Sequence, residues 1–325
     1  MRKILVTGGL GYVGTVLVNE LIKRNYHVNV IDLGIYGNNT YKNNNLKIFI
    51  GDIRNQKLFE ESVLGCDTVI HLACISNDPS FDLDPHLGKS INLDAFRPMV
   101  EISQKNGVDR FVYASSSSVY GIKDENNVDE TFSLQPLTDY SLYKAECEKI
   151  LQEYESDSFT TTVLRPATVC GYSPRQRFDL VVNILTNLAF NKNIITVFGG
   201  KQLRPNIHIN DMVNAYIQII ETSKEKIAGE IFNVGFQNMS VLEIANMVKN
   251  NMKKNIDLKI EKTDDNRSYH ISSKKIINKL NFKTSFTVEN AIQDLIKSFD
   301  NNLFKNSLEN ENYFNIKKMN SINLK

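Results

Sequence analysis

Apolar residues in this chain gather into short, nearly continuous runs: KILVT (3–7), HVNVID (27–32), LKIFIGD (46–52), TVIHLAC (68–74), RFVYASS (110–116) and TTVLRPATV (161–169). Runs with so little polar alternation suit strands covered on both faces. Between them the apolar spacing becomes helical. In residues 11–24, Val13, Val16, Leu17 and Leu21 follow the i, i+3, i+4, i+8 pattern, and similar stripes occupy about 86–106 and 139–155. Alternating strand and helix predicts an α/β fold, a doubly wound parallel sheet with right-handed crossovers.

After Thr168 the texture changes. CGYSPRQRFDLVVNILTNLAF combines a turn, two arginines and an amphipathic helix, and the Gly-Gly turn of VFGGKQLRP follows. A second, smaller unit is expected to begin here, while EIFNVG (230–235) reads as a strand returning to the first sheet. The two units are therefore interleaved: residues 1–172 with about 207–235 form the first, and 173–206 with 236–325 the second. The final NNLFKNSLENENYFNIKKMNSINLK is polar and weakly periodic, either a mobile tail or a docked surface element.

Length agrees with two units, since 325 residues exceed the roughly 150 typical of one domain. With 38 basic and 37 acidic residues the net charge is +1, so no global field draws the protein to nucleic acid or an anionic membrane, and any anion must be held by local groups. Cys66, Cys74, Cys147 and Cys170 lack C-x-x-C spacing and form no ligand set with the five histidines, so no metal site and a reducing cytoplasm are expected. The opening apolar run, Ile4 to Val6, is too short for a signal-peptide core or a membrane span.

Candidate chemistry starts at the end of the first run. TGGLGYVG fits G-x-x-G-x-x-G through Gly8, Gly11 and Gly14, at a strand-to-helix turn where backbone amides meet a pyrophosphate at the positive end of a helix. Eighteen residues beyond Gly14, Asp32 closes the second strand, close to the spacing expected of the carboxylate that bonds the adenosine ribose. The LGIYG that follows carries no base for a 2′-phosphate, which favours NAD over NADP. Asp52, closing the third strand, is placed either to bond the adenine or to cap a helix.

Farther on, Tyr140 and Lys144 stand four apart on a helical stretch and share one face. A phenol with an ordinary pKa near 10 is a poor base at neutral pH. An ammonium beside it stabilises the phenolate, letting Tyr140 exchange a proton with a substrate alcohol while the alcohol's carbon exchanges hydride with NAD.

TGGLGYVG, Asp32, GDI at 51–53, HLA at 71–73, Asn92, SSSSVYG, Y-x-x-x-K at 140–144, LRPATVCG and RPNIHIND together resemble the extended short-chain dehydrogenase/reductases, and within them the NAD-dependent nucleotide-sugar epimerases and dehydratases. The resemblance covers about residues 1–290. It implies a modified Rossmann fold of about seven strands, a smaller C-terminal sugar-nucleotide unit, and a homodimer built through the stripes near 86–106 and 139–155. Along the cofactor it places Gly8, Gly11, Tyr12, Val13, Gly14, Asp32, Asp52, Ile53, Leu72, Ala73, Asn92, Ser115, Tyr140, Lys144 and Pro166. The catalytic hydroxyl of V-Y-G motifs falls on Ser116, with Ser115 nearer the nicotinamide.

Where the 4,6-dehydratases carry Asp and Glu after that hydroxyl, this chain has Ser117 and Ser118. Loss of water across C5 and C6 of a 4-keto sugar needs a base and an acid, and serines supply neither well, so oxidation at C4 is favoured, with a nucleotide-sugar 4,6-dehydratase as the alternative. On the substrate side, Arg204 and Arg267 match the family's diphosphate contacts. Ser116, Ser117, Arg177 and Asn183 are expected near the nucleotide or sugar; His208 and Asp211 at the junction of the units; His71 in the core. SNDP at 76–79 and SPRQRFDLVVN resemble a surface-polysaccharide branch, making a GDP-heptose 4-dehydrogenase of capsule synthesis a specific expectation beside a 4-epimerase. The rival from another class is an NAD-binding regulator without catalysis, which has no need of Ser116, Tyr140 and Lys144 together.

Overall fold

A computed structural model of the chain describes residues 2–123, 125, 127–263, 268–322 and 324. The strands are β1 (Lys3–Thr7), β2 (His27–Asp32), β3 (Leu46–Ile50), β4 (Thr68–His71), β5 (Arg110–Ala114), β6 (Thr160–Pro166), β7 (Thr168–Cys170), β8 (Ile194–Phe198), β9 (Leu203–His208), β10 (Glu230–Val234), β11 (Gln237–Ser240) and β12 (Asp257–Glu261). The helices are α1 (Tyr12–Lys23), α2 (Gln56–Val63), α3 (Asp78–Phe81), α4 (Pro85–Lys89), α5 (Phe96–Lys105), α6 (Asp139–Gln152), α7 (Val181–Lys192), α8 (Ile209–Glu221), α9 (Lys224–Ile227), α10 (Val241–Asn251), α11 (Lys274–Leu280), α12 (Val288–Asp300) and α13 (Asn315–Ile322).

Seven strands form one parallel sheet in the order β10-β6-β5-β4-β1-β2-β3. The doubly wound α/β expectation holds, and the run at 230–235 does return to this sheet, beside β6. The continuous apolar runs are explained by two cores, one on each face. Leu17, Val18 and Leu21 of α1 join Val213, Ile217 and Ile220 of α8 on one side, and Phe59 of α2, Met99 and Val100 of α5 and Leu151 of α6 fill the other. Sequence order reverses between β1 and β4, and at such a switch point the strand ends leave a crevice.

Several boundaries move for identifiable reasons. The run at 161–169 divides after Pro166: β6 stays in the large sheet, and β7 turns away to pair with β9. The stripe at 86–106 is not one helix. Pro98 has no N–H to return to the turn before it, and the chain takes a π stretch at Ser90–Asp94, where the Ala95 N–H reaches back to the Ser90 carbonyl.

The remaining elements gather around α7, α10 and α12 with the β8–β12 pair, whose core includes Val182, Leu185, Ile195, Ile244, Val248 and Ile292. The segment after α12 is docked. Phe304 and Tyr313 pack on Phe178 at ring separations of 5.0 and 5.3 Å, the Phe178 N–H donates to the Tyr313 carbonyl at 2.8 Å, and Ser307 and Asn187 exchange hydrogen bonds of 2.7 and 3.0 Å. Among the described residues, no helix is long and apolar enough to cross a membrane.

Candidate active site

A cleft opens at the switch point, above the ends of β1 and β4. Its floor is the glycine loop, held by the Gly11 N–H donating to the Gly8 carbonyl at 3.0 Å. Gly8 has a φ of +69°, and a Cβ on it meets the Ala73 nitrogen at 2.7 Å. A Cβ on Gly14 meets the Gly8 carbonyl oxygen at 2.2 Å, so loop and helix pack only with glycine there. Gly11 is the N-cap of α1 and no side chain caps the helix, which leaves this end a place for an anion.

Asp32 stands at the far wall. Its carboxylate accepts from the N–H groups of Leu10 at 3.0 Å and Gly34 at 2.8 Å. Burial raises its pKa, and those two bonds oppose the rise. Asp52 and Ile53 also line the cleft. Asp52 does not cap α2; Asn55 does, and Asp52 instead holds the Arg54 guanidinium at 2.7 Å. Leu72, Ala73, Tyr12, Val13 and Pro166 complete this part of the lining. Asn92, in the π stretch, supports the wall from behind, accepting from the Ile75 N–H at 2.9 Å and donating to the Ile75 carbonyl at 3.0 Å.

Tyr140 and Lys144, one turn apart on α6, reach the same cleft at the end of β5. Helix α6 is fixed at that end by Thr138, whose hydroxyl caps Ser141 and donates to Asp78 at 2.6 Å. Lys144 Nζ donates to the Ala114 carbonyl at 2.7 Å and lies 5.8 Å from the centre of the Tyr140 ring. The expected lowering of the Tyr140 pKa is not seen. Burial pushes the phenol well above its usual value, Cys74 and Asp78 add to the rise, and Arg177 is the cation that opposes it.

Adjacent serines diverge, as alternate positions at a strand end must. The Ser115 hydroxyl, expected toward the nicotinamide, donates instead to buried Glu148, which pairs with Arg165 at 2.6 Å. Only the remainder of Ser115 borders the cleft. Ser116 accepts from the Ser118 N–H at 3.1 Å and shares a 2.8 Å bond with the Ser118 hydroxyl, so it caps the short 3-10 turn at 117–120. Neither Ser116 nor Ser117 is among the residues that line the cleft, and Ser117 is buried.

Other expected substrate residues scatter. Asn183 is fully buried and structural: it accepts from the Gly171 N–H at 3.1 Å and donates to the Tyr12 hydroxyl and the Arg177 carbonyl. Arg204 lies on β9, bonded to its neighbour's carbonyl, with its guanidinium 5.4 Å from the Tyr269 ring. Arg267 lies outside the described residues. His208 and Asp211 make contacts across elements, His208 to Asp294 and Asp211 to the N–H groups of Ser285 and Phe286. His71 is a core residue, bonded to Thr7 at 2.7 Å.

Arg177 enters the dinucleotide cleft itself. Its Nη1 donates to Ser76 at 2.9 Å, its Nε to Asp179 at 2.5 Å, and its buried Nη2 has no hydrogen-bond partner among the described residues. Beside it, sequence reading missed Arg175, whose guanidinium sits 3.6 Å from the centre of the Tyr36 ring and whose buried Nε also lacks a hydrogen-bond partner among the described residues. Two buried cations that line the same cleft as a glycine loop and a carboxylate fit a ligand with a diphosphate and a ribose. The described residues contain no cluster able to hold a metal ion.

A family model described as the NAD dependent epimerase/dehydratase family matches residues 4–235. The chain belongs to that family. A Bacillus subtilis protein named as an uncharacterized UDP-glucose epimerase is 33% identical over 262 residues, covering 76% of this chain and 81% of its own. A dTDP-D-glucose 4,6-dehydratase of Bos taurus is 28% identical over 260 residues, 75% of this chain and 71% of its own. Among solved structures, MoeE5 in complex with UDP-glucuronic acid and NAD superposes with a TM-score of 0.81 at 25% identity, over 92% of this chain and 99% of its own. The cofactor is NAD, and the cleft from Asp32 past the glycine loop to Tyr140 fits it.

Proposed function

We propose that this enzyme oxidises C4 of a nucleotide-activated sugar. The observation that supports it most is the convergence of Tyr140 and Lys144 with the glycine loop and Asp32 in one cleft. When bound, NAD supplies a hydride acceptor and a positively charged ring. Tyr140 takes the proton of the C4 hydroxyl and returns it in the reverse direction, and Ser116 orients that hydroxyl. With the phenol raised by burial, positive charge close to its oxygen decides whether it ionises, and Lys144 is anchored on Ala114 where it can supply it.

Oxidation without dehydration is supported by Ser117 and Ser118. Ser117 is buried, Ser118 is engaged with Ser116, and neither offers the carboxylate that proton removal at C5 and loss of water from C6 require. The reading thus favours a 4-epimerase or a 4-dehydrogenase, with a GDP-heptose 4-dehydrogenase of surface-polysaccharide synthesis as its most specific form. It includes a cytoplasmic homodimer joined through α5 and α6, to be checked by light scattering. Arg204 and Arg267 are assigned to the sugar nucleotide's diphosphate, and the substrate unit to 173–206 and 236–325.

Incubation with UDP-, GDP- and dTDP-sugars tests the reaction. C4 inversion without net NADH identifies an epimerase, and a released 4-keto sugar a dehydrogenase. Loss of water overturns the argument from the missing acids.

A further inference from the structure

The cleft has a wall that belongs to neither the glycine loop nor the catalytic helix. Asn315, the first residue of α13, is buried and joins four parts of its rim. Its side-chain oxygen accepts from the Tyr36 hydroxyl at 3.0 Å and from Arg175 Nη2 at 2.9 Å. Its amide donates to Ser76 at 2.9 Å, and its backbone N–H donates to Asp179 at 3.0 Å. Ser76 and Asp179 are the two groups that hold Arg177. One residue thus ties the segment after β2, the segment after β4 and the arginine loop to α13.

The rest of α13 continues the closure. Met319 and Leu324 line the cleft with Ile53, Ile75 and Ile91, and Met319 packs into the apolar core on that face of the sheet. The approach to α13 is pinned by Phe304 and Tyr313 on Phe178. Arg177 is only 8% exposed, and its Nη2 has no hydrogen-bond partner among the described residues, an orphaned donor that an anion in the cleft would satisfy.

We infer that α13, latched by Asn315, is a clasp over the cofactor cleft that sets how fast the cofactor enters and leaves it. Arg175 and Arg177 are the cofactor's diphosphate ligands beneath it. This rests on the assignment of the cleft to NAD.

A clasp slows entry as well as exit, because only the open fraction of molecules can bind or release. The test is stopped-flow fluorescence of NADH binding to the full chain, with dissociation chased by excess ADP-ribose, for wild type, Asn315→Ala and the milder Tyr36→Phe, which removes one of the latch bonds. Asn315→Ala is expected to raise both association and dissociation rates by about tenfold, the effect of losing several buried hydrogen bonds in the closed state. Tyr36→Phe is expected to shift both in the same direction by less. Faster dissociation with unchanged or slower association makes α13 a simple contact and overturns the clasp, as do unchanged rates in both variants. A wild-type chain that neither carries a copurifying nicotinamide cofactor nor takes up NADH overturns the NAD assignment itself, and the clasp with it.

Discussion

Two polar systems flank the end of β5, each built on a tyrosine and a buried arginine, and they differ in whether their hydrogen bonds close. Behind the strand, Arg165 gives Nε and Nη2 to Glu148 and Nη1 to Tyr120, whose hydroxyl donates to Asn233 at 2.8 Å, while Ser115 completes Glu148. In front, Tyr140 lines a cleft and Arg177 keeps a donor that is unpaired among the described residues. A buried charge whose partners are all protein groups is scaffold. One that keeps a donor in reserve, at a comparable cost of desolvation, is held ready for a ligand.

The comparison breaks first on the tyrosines. Tyr140→Phe is expected to lower turnover by about 10² to 10⁴, the usual contribution of a positioned acid–base group, with the melting temperature and NAD binding little changed. Tyr120→Phe is expected to do the reverse. It leaves Asn233 and Arg165 short of a buried partner and costs about 1–3 kcal/mol of stability, measured by urea unfolding, while turnover per folded molecule stays near wild type. Equal turnover losses in the two variants dissolve the distinction.

The acidic partner gives the next contrast. Glu148→Gln strands the Arg165 charge, with both side chains under 5% exposed, and is expected to cost about 3–5 kcal/mol in the same unfolding measurement. Arg177→Met leaves Asp179 with the Asn315 N–H but without its cation, so it is expected to cost less stability than Glu148→Gln while weakening NAD by at least about tenfold by titration calorimetry, since hydrogen bonds to charged groups contribute about 1.5–3 kcal/mol. A stability loss for Arg177→Met as large as that for Glu148→Gln makes Arg177 scaffold as well.

The open system was partly legible in the sequence because its members are local. Gly8, Gly11 and Gly14 are required by close backbone approach, Asp32 ends the next strand, and four residues of helix put Tyr140 and Lys144 on one face. The closed system was not legible. Choosing between Ser115 and Ser116 depends on which way a strand end turns, and Glu148 meets Arg165 only after α6 packs on β6. Asn315 was hidden further, since it meets Arg175 across 140 residues of chain. A signal was present: Phe304, Tyr313 and Phe314 stand in a tail that is polar at most other positions, and aromatic residues there argue for docking. Arg177 was read toward the sugar because the motif fixes the residue but not which side of the cleft its loop faces.

His71 offers the smallest and most quantitative test, since it lies on β4 between the two systems and belongs with the closed one. It is bonded to Thr7 and stacked on Tyr113 at 5.7 Å. Burial, with the Lys144 charge adding to it, holds its pKa down to about 3. An unfolded histidine titrates near 6.5, so between about pH 6.5 and 3 the unfolded chain binds a proton that the folded chain does not. Stability is therefore lost as pH falls through that window, at up to about 1.4 kcal/mol per pH unit from this residue. From pH 7 to pH 5, wild type is expected to lose about 2 kcal/mol more than His71→Gln in urea unfolding, whatever the variant's stability at pH 7. Parallel pH profiles for the two proteins require a folded-state His71 that titrates normally, and a histidine that accepts a proton so readily belongs to the open system facing the cleft.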